Sequence, residues 1–256
     1  MYSLTNLQVF NKPNCEINFN GGKLSSDSGL YLLHEFMERT GISRIIKSFK
    51  TKDTACRKYL DHEILLQKIY QICAGYPTDD IADNLYSDPV FNQLCGKKRL
   101  ASQPTISRFN SRLDESTLEQ FNDMFRKIRK VLYKNKQPEQ IILDLDSTLL
   151  QTYGQQENNA YVYHYSACGF HPLVCYDGLT GDLLKIALRK GNCYCSTGVE
   201  EFLQPVLDEF ANEYPSTKLF LRADSGFATP QLYTQAETNG CSYVIRLKNN
   251  NTLHEK

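Results

Sequence analysis

Two short acidic motifs contain the residues best suited to chemistry. The first reads Asp-Leu-Asp-Ser-Thr at residues 144–148 and ends an apolar run. The second reads Arg-Ala-Asp-Ser-Gly-Phe at residues 222–227, and it also stands where an apolar run meets a turn. Because side chains alternate along a strand, Asp144 and Asp146 are expected on the same side of a sheet. Carboxylates at strand ends lie where open α/β sheets bind ligands.

Carboxylates held close together predict a cation. Two such groups repel each other unless one is protonated or a cation is shared between them, and Mg²⁺ is the ordinary cation for hard oxygen donors. The alternative interpretation is that each aspartate caps a turn or the following helix, with serine and glycine as turn residues. The spacing alone leaves both interpretations open.

The composition is that of a globular protein. The chain has 256 residues, of which 41% are hydrophobic and 23% charged, so a disordered or collagen-like chain is excluded. No segment approaches the ~18 apolar residues that span a bilayer, and the N-terminus lacks the pattern of a secretory signal. Nine cysteines, an odd number, do not indicate a disulfide framework. A soluble, cytoplasmic protein without a membrane partner is expected.

The net charge of zero conceals two halves of opposite sign. Residues 1–138 contain 21 Lys and Arg against 15 Asp and Glu, a net charge of +6. Residues 139–256 contain 8 against 14, a net charge of −6. The asymmetry predicts one module that favours a polyanion and a second that holds carboxylates.

The hydrophobic periodicity also changes between these halves. Apolar residues spaced by three or four predict helices throughout the first half, the longest over residues 115–133. The pattern breaks at residues 134–138, where we place a domain boundary. The sequence therefore predicts an all-α domain over residues 1–138.

The second half, residues 139–256, reads as α/β. Short apolar or alternating runs predict strands, and residues 177–181 predict the turn of a hairpin. The predicted strands cover residues 141–146, 161–166, 171–176, 183–188, 218–222 and 241–247, with helices over 198–214 and 230–239. The expected order in the main sheet is β-β-β-α-β-α-β, which counts these strands without the run at 161–166 and describes a mixed sheet with helical crossovers.

Two runs of basic residues contain no acid. Residues 97–112 hold five cations and residues 126–136 hold six. On a helix starting near Gln103, the apolar residues Ile106, Phe109 and Leu113 share one face. The residues left for contact with a polyanion are Lys97, Lys98, Arg99, Ser107, Arg108, Ser111 and Arg112. This pattern suits a recognition helix in a helix-turn-helix-like domain, and the alternative is a solvated face of a helical bundle.

A third group contains soft and imidazole ligands. It consists of His164, Cys168, His171, Cys175, Cys193 and Cys195. Its spacing matches none of the common zinc motifs, and its segments read as strands, where buried cysteine and hydrogen-bonded histidine are ordinary. A zinc site is therefore not favoured.

The second half resembles the DDE-type transposases of bacterial insertion sequences, in particular the group numbered thirteen-eighty. The similar segments cover residues 144–148, 171–173, 188–192, 222–227 and 243–248. The first half adds Phe-Asn-Gly-Gly at 19–22, Ala-Gly-Tyr at 74–76, Ser-Asp-Pro at 87–89 and residues 102–109. The resemblance thus extends over nearly the whole chain, with several motifs in the same order.

This resemblance implies a ribonuclease H-like catalytic core behind a DNA-binding domain. In such a core the first aspartate lies on the first strand and the second just after the fourth. By position, Asp146 and Asp224 are the catalytic metal ligands, and Asp144 stays a possible ligand. The implied chemistry is two-metal phosphoryl transfer with Mg²⁺ or Mn²⁺, in which water and then a DNA 3′-hydroxyl attacks a phosphodiester.

The resemblance also implies partners and a location. The expected partner is double-stranded DNA, both as terminal inverted repeats and as target, with the protein bound as a homodimer. The expected location is the bacterial cytoplasm, in association with the nucleoid.

One catalytic residue of the family has no match in this sequence. The family places a third carboxylate, a glutamate, on a later helix in the pattern Tyr-x2-Arg-x3-Glu-x6-Lys. Tyr243 and Arg246 match the start, but Asn250 stands at the glutamate position. Glu200 and Glu201 are predicted on a different helix. The expectation is the front portion of a longer transposase that is inactive alone.

Two rival functions remain open at this point. Asp144, Asp146 and Thr148 fit the Asp-x-Asp-x-Thr signature of haloacid dehalogenase-type phosphatases, with the first aspartate as nucleophile and the second as acid and base. Two features argue against a phosphatase of this type. The next predicted elements are antiparallel strands and not a crossover helix, and no closing Gly-Asp-x3-Asp motif follows. The second rival is a non-catalytic DNA-binding remnant that competes with full-length transposase.

Overall fold

The computed structural model describes residues 6–8, 16–18, 26–154 and 156–248. Within it the chain divides into two compact units, Met1–Val131 and Leu132–Lys256. The division into functional domains at residues 138 and 139 stays a prediction.

The first unit contains seven helices among the described residues, preceded by a pair of strands. The strands are β1 (Asn6–Gln8) and β2 (Glu16–Asn18), which pair antiparallel. The helices are α1 (Leu30–Thr40), α2 (Ile42–Lys47), α3 (Asp61–Cys73), α4 (Ile81–Asn84), α5 (Pro89–Leu94), α6 (Gln103–Asn110) and α7 (Glu115–Tyr133). The prediction of an all-α first half is therefore wrong for the strand pair, since three-residue strands are too short to show a period of two.

The helices of this unit begin and pack as their sequences dictate. Asp88 accepts hydrogen bonds from the amides of Val90 and Phe91 at 2.9 and 3.0 Å, so it caps α5, and Pro89 occupies the first turn. In α6, Ile106 and Phe109 are fully buried in the core of the unit. This burial fixes which face of α6 points to solvent.

The second unit is built on a five-stranded mixed sheet in the order β10-β9-β3-β7-β8. Its elements are β3 (Gln140–Ser147), β4 (Leu150–Gln151), β5 (Ala160–Val162), β6 (Ala167–Phe170), β7 (Leu173–Asp177), β8 (Leu183–Ala187), α8 (Val199–Glu213), β9 (Lys218–Ala223), α9 (Pro230–Thr238) and β10 (Ser242–Ile245). β3 runs parallel to β9 and antiparallel to β7, and β9 runs parallel to β10. Within this sheet the chain order is the predicted β-β-β-α-β-α-β.

A separate three-stranded sheet, ordered β4-β6-β5, follows the end of β3. The strand predicted over residues 161–166 is shorter than expected. β5 ends at Val162, and a 3₁₀ turn over Tyr163–Tyr165 leads to Ser166, whose φ is 52°. The alternating sequence gave no sign of this turn, because a 3₁₀ turn of three residues is too short to show its own period.

One face of the five-stranded sheet holds the core of the second unit. Leu143, Leu145 and Leu221 point to this face and are at most 2% exposed. They pack in one apolar cluster with residues of α8 and α9, among them Leu203 and Leu232. Since neighbours along a strand point to opposite faces, the residues between these leucines lie on the other face.

The loop after β8 is seated on the small sheet through Gly191. A Cβ atom at this position would stand 2.3 Å from the carbonyl oxygen of Gly169 and 2.4 Å from that of Ala160. The preceding residue, Lys190, forms an isolated backbone bridge with Phe170. Only glycine therefore allows the loop to approach β5 and β6 this closely.

Replacing this glycine is expected to displace the loop. Gly191→Ala should lower the free energy of unfolding by about 1–3 kcal/mol, because backbone atoms on two strands must move to admit the methyl group. Gly29→Ala is the matched control, since a Cβ there meets no atom within 4 Å. Thermal unfolding of both variants checks the expectation, and equal stability of Gly191→Ala and wild type would contradict it.

Candidate functional site

The carboxyl ends of β3 and β9 bring the two acidic motifs together. In the parallel register Asp144 pairs with Arg222 and Leu145 pairs with Ala223. Asp146 is the next residue of β3 and Asp224 directly follows β9, and both are exposed. Paired residues of parallel strands point to the same face, so both aspartates lie on the face opposite the α8 and α9 core. The two carboxylates are neighbours at one edge of the sheet, which we call the aspartate edge.

The thiol of Cys195 lies beside both aspartates. A Cβ atom on Gly226 would stand 3.0 Å from the Cβ of Cys195, so the loop after β8 touches the turn that follows Asp224. Burial raises the pKa of the Cys195 thiol, and the carboxylates of Asp224 and Asp146 raise it further. Two negative charges on neighbouring strands therefore act on the same sulfur atom.

Each of these aspartates is oriented by a backbone amide. The amide of Ser147 donates to Oδ1 of Asp146 at 2.7 Å, and the amide of Gly226 donates to Oδ1 of Asp224 at 2.8 Å. Within residues 26–154 and 156–248, neither carboxylate forms an ion pair with a lysine or arginine. Each side chain is thus held in place while its charge stays open to a cation.

Asp144 has a different environment. Its Oδ1 accepts a hydrogen bond from Nε of Arg222 at 2.9 Å, and its Oδ2 contacts the same guanidinium. This two-point ion pair raises the pKa of Arg222. Asp144 therefore joins β3 to β9, which favours Asp146 over Asp144 as a metal ligand.

The same contact bears on the phosphatase interpretation. That chemistry needs Asp144 as a free nucleophile, but both of its oxygens contact Arg222. The next strands in the five-stranded sheet are the antiparallel hairpin of β7 and β8 and not a crossover to a parallel strand. The phosphatase alternative is not favoured.

Arg189 holds the loop after β8 against the end of β3. Its guanidinium donates to the carbonyl oxygens of His171 (3.0 Å), Cys195 (3.1 Å) and Thr197 (2.7 Å). A further bond reaches Oγ of Ser147 at 2.9 Å. Burial lowers the pKa of Arg189, although an arginine stays protonated. Sequence reasoning missed this role, and the available signal was an arginine in a loop with no acid near it.

The donor set at the aspartate edge fits Mg²⁺ or Mn²⁺. The described residues contain no group of three or more His, Cys, Asp or Glu placed to hold a metal ion. Magnesium, however, is often bound through one or two carboxylates completed by water and substrate phosphates. Two neighbouring hard oxygen donors satisfy that requirement.

The histidines and cysteines considered for zinc lie in different environments. Cys175 is buried in the core, whereas His164 and Cys168 are exposed. His171 is buried and its Nδ1 pairs with the carbonyl oxygen of Cys193 at 2.8 Å.

The position of the third carboxylate in the family pattern falls beyond β10. Asn250, which stands at its position, lies outside the described residues. Glu200 and Glu201 lie in the first turn of α8. Tyr243, at the start of the pattern, lies in β10, and its hydroxyl donates to Oε1 of Glu237 at 2.8 Å.

In the first unit, the structure separates the predicted DNA-contacting residues into two groups. The exposed ones are Lys98, Arg99, Ser107, Arg108 and Ser111. Lys97 forms an ion pair with Glu63 at 2.7 Å. The two serines and Arg108 belong to the solvent-facing side of α6 and its end, as predicted.

The prediction that Arg112 faces outward is wrong. Its guanidinium lies 2.5 Å from Oδ1 of Asp61 and 3.8 Å from Oδ2 of Asp53, and its side chain is only 12% exposed. The helical periodicity used for the prediction does not apply there, because α6 ends at Asn110. The chain turns Arg112 back toward carboxylates that are distant in sequence.

A basic groove borders α6, and sequence reasoning missed one of its cations. Lys58 lines this groove together with Tyr59 and Thr105. The ammonium group of Lys58 lies 5.1 Å from the centre of the Tyr59 ring. Arg108 lines the same surface, and Arg99 lies over the ring of Tyr86. In the described ranges, none of Lys58, Lys98, Arg99 and Arg108 forms an ion pair with a carboxylate. We call these four cations the basic surface.

The sequence matches one family over almost its full length. The family model described as "Transposase DDE domain group 1" matches residues 7–256. The chain is a member of this transposase family. The predicted resemblance to DDE transposases is thereby confirmed, and the mixed α/β second unit agrees with it.

Solved transposase structures show weaker similarity to this transposase. A cryo-EM structure of the piggyBac transposase synaptic complex with hairpin DNA has a TM-score of 0.40 and 15% identity, covering 83% of this chain and 47% of that one. A Mos1 transposase paired-end complex with the left transposon end has a TM-score of 0.29 and 12% identity, covering 77% and 61%. A Mos1 mariner paired-end complex with Mn has a TM-score of 0.29 and 12% identity, covering 88% and 69%. The chain thus spans about half the length of the piggyBac chain, and no curated protein matches it.

No helix in the described part of the transposase has both the length and the apolar character needed to cross a membrane.

Asp61, the partner of Arg112, is a carboxylate with several hydrogen bonds. It accepts hydrogen bonds from the amide and hydroxyl of Thr51 at 2.8 and 2.7 Å, besides the Arg112 contact. Burial alone raises the pKa of this carboxyl, but the bonds from Thr51 and Arg112 outweigh it, so the pKa lies below its ordinary value. A lowered pKa in the folded state stabilises the fold above the unfolded pKa, and this contribution is lost as the pH falls through the folded pKa.

The stability of an Asp61→Asn variant is therefore expected to depend on pH. At pH 7 the free energy of unfolding of the variant should be about 1–3 kcal/mol lower than that of wild type, because the part-buried guanidinium of Arg112 loses its charged partner. Near pH 2 the two proteins should converge. Urea unfolding at several pH values measures the difference. Asp80→Asn, at an exposed residue that makes no capping hydrogen bond, is the control. A difference that persists unchanged in acid would contradict the assignment.

Proposed function

We propose that this transposase cuts and joins DNA at the ends of an insertion sequence by metal-dependent phosphoryl transfer. The observation that supports the proposal most directly is the parallel register of β3 and β9, which pairs Leu145 with Ala223, the residues directly before Asp146 and Asp224. These two aspartates are the proposed catalytic residues. If these aspartates bind no metal, the alternative is that the protein is a non-catalytic DNA-binding remnant.

Each part of the aspartate edge has a proposed task. Asp146 and Asp224 hold Mg²⁺ or Mn²⁺ through their carboxylate oxygens. Bound there, such ions activate the attacking hydroxyl and stabilise the leaving oxygen of the phosphodiester. Arg189 positions the loop beside the edge, and the pair of Asp144 with Arg222 keeps the two strands in register.

The first unit is the proposed DNA-binding part. The basic surface of Lys58, Lys98, Arg99 and Arg108 would contact phosphates, with Ser107 and Ser111 of α6 beside it. Phosphate contacts fix position and orientation on a duplex, and base contacts select the sequence. By the family resemblance, the proposed substrates are the terminal inverted repeats and a target duplex, and the proposed working unit is a homodimer.

Metal binding gives the first test. Asp146→Asn and Asp224→Asn should each weaken Mn²⁺ binding by at least about tenfold, since each removes one anionic ligand from a site of two. Asp144→Asn should stay close to the affinity of wild type, because the amide oxygen can still accept the hydrogen bond from Arg222 and the leucine core still holds the register. Titration followed by the electron paramagnetic resonance of free Mn²⁺ measures all four proteins. Unchanged binding in both Asp146→Asn and Asp224→Asn would falsify the assignment.

DNA binding gives the second test. The full chain should bind a 30-base-pair duplex with an affinity that falls steeply with salt, because cations released from phosphates drive the binding. Lys58→Gln combined with Arg108→Gln should flatten the slope of log K against log salt by about 0.9 for each lost phosphate contact. Lys127→Gln, at a lysine paired with Asp123 at 2.6 Å, removes a charge elsewhere and should leave the slope unchanged. Equal effects of the two changes would contradict a localised interface.

A further inference from the structure

Four exposed tyrosines lie on or beside the small sheet. Tyr161 is on β5, Tyr163 and Tyr165 are in the 3₁₀ turn between β5 and β6, and Tyr153 is in the loop after β4. Tyr153 and Tyr163 are 80% and 84% exposed, and Tyr161 and Tyr165 are 45% and 41% exposed. We call these four residues the tyrosine face. Exposed aromatic residues are ordinary when scattered, but a cluster of this kind marks an interaction surface.

The rings of this face are held in fixed relative positions. The rings of Tyr161 and Tyr163 lie 5.2 Å apart at an angle of 85°, edge to face. Tyr165 packs in the same manner against His164 at 4.8 Å. Tyr161 stands on β5 opposite Cys168 of β6, which is also exposed. The edge-to-face pairing uses the edge of one ring and one face of the other, so the remaining ring faces are open to a planar ligand.

The tyrosine face adjoins the aspartate edge. The hydroxyl of Tyr165 donates to the carbonyl oxygen of Ser147 at 3.4 Å, and Ser147 directly follows Asp146. The ring of Tyr165 also lies 6.2 Å from His171, which pairs with the loop after β8 at Cys193. A strand that reaches Asp146 therefore has the tyrosine face as its neighbouring surface.

The charge of this surface suits a nucleic acid. Residues 148–170 contain one acid, Glu157, and no lysine or arginine. Lys190, which is exposed, bridges to Phe170 at the border of the small sheet. A phosphate backbone would thus meet the tyrosine hydroxyl groups with little repulsion.

The ligand chemistry follows from the rings and their position. Aromatic side chains stack on nucleobases whatever the sequence, because every base has a flat π-face. Bases inside a duplex already stack on each other, so exposed rings have access only to bases that are unpaired. At a site that cuts and joins DNA, unpaired bases occur at the strand end next to the reacting phosphate.

We propose that the tyrosine face binds unpaired nucleobases of a DNA strand end beside the aspartate edge. This inference rests on the proposed function, because that function is what brings DNA to the edge. Tyr161 and Tyr163 stack on the bases, Tyr153 extends the platform, and Tyr165 joins the platform to β3.

The test compares two DNA probes on the full chain. One is a 20-base-pair duplex with a four-nucleotide 3′ tail that contains 2-aminopurine, and the other is the same duplex with blunt ends. Combined Tyr161→Ala and Tyr163→Ala changes should weaken binding of the tailed probe by about tenfold and abolish the quenching of 2-aminopurine. Binding of the blunt probe should change by less than about twofold. Tyr161→Phe with Tyr163→Phe keeps both rings and should behave as wild type.

Several results would overturn the inference. If wild type binds both probes equally, the tyrosine face does not select unpaired bases. If the alanine variant binds the tailed probe as wild type does, Tyr161 and Tyr163 do not stack on the bases. If sedimentation shows that wild type is a dimer and the alanine variant a monomer, while DNA binding is unchanged, the tyrosine face binds a second copy of the chain and not DNA. If instead wild type fails to bind Mn²⁺ while the tailed probe is still preferred, the proposed function fails and base binding by this face stands.

Discussion

The parallel pairing of β3 with β9 is the constraint on which the site depends. It is maintained from two sides, by leucines that alternate into one core and by the ion pair of Asp144 with Arg222 across the strands. A slip by one residue would turn every side chain of β3 to the opposite face and expose those leucines. Asp146 and Asp224 owe their proximity to this register, since no direct bond between them is needed to hold it.

The end of β3 is also where the other features of the second unit meet. Ser147 receives a hydrogen bond from Arg189 on its hydroxyl and one from Tyr165 on its carbonyl oxygen. Through these bonds the loop after β8 and the small sheet are attached to the residue next to Asp146. Gly191 allows the loop to lie close to the small sheet. Asp146, Arg189 and Tyr165 are thereby connected through Ser147.

Much of this arrangement could be predicted from local patterns. Alternation along β3 placed Asp144 and Asp146 on one face, and the order of strands and helices placed Asp224 after the fourth strand of the sheet. Two failures were local, because the strands of the first unit and the 3₁₀ turn after β5 are too short to show a period. The other failures depended on contacts distant in sequence. Arg112 was predicted to face outward, but it meets Asp61. The role of Arg189 required knowledge of which carbonyl oxygens surround it. The choice between Asp144 and Asp146 required Arg222, which pattern alone could not pair with either.

The central claim is that Asp146 and Asp224 share divalent cations at one edge of the sheet. The most direct measurement is anomalous X-ray scattering from crystals of the protein grown with Mn²⁺. We expect a manganese peak between the carboxylates of Asp146 and Asp224, with Asp144 still bonded to Arg222. A peak bound by Asp144 alone, or manganese only at sites away from β3 and β9, would contradict the account.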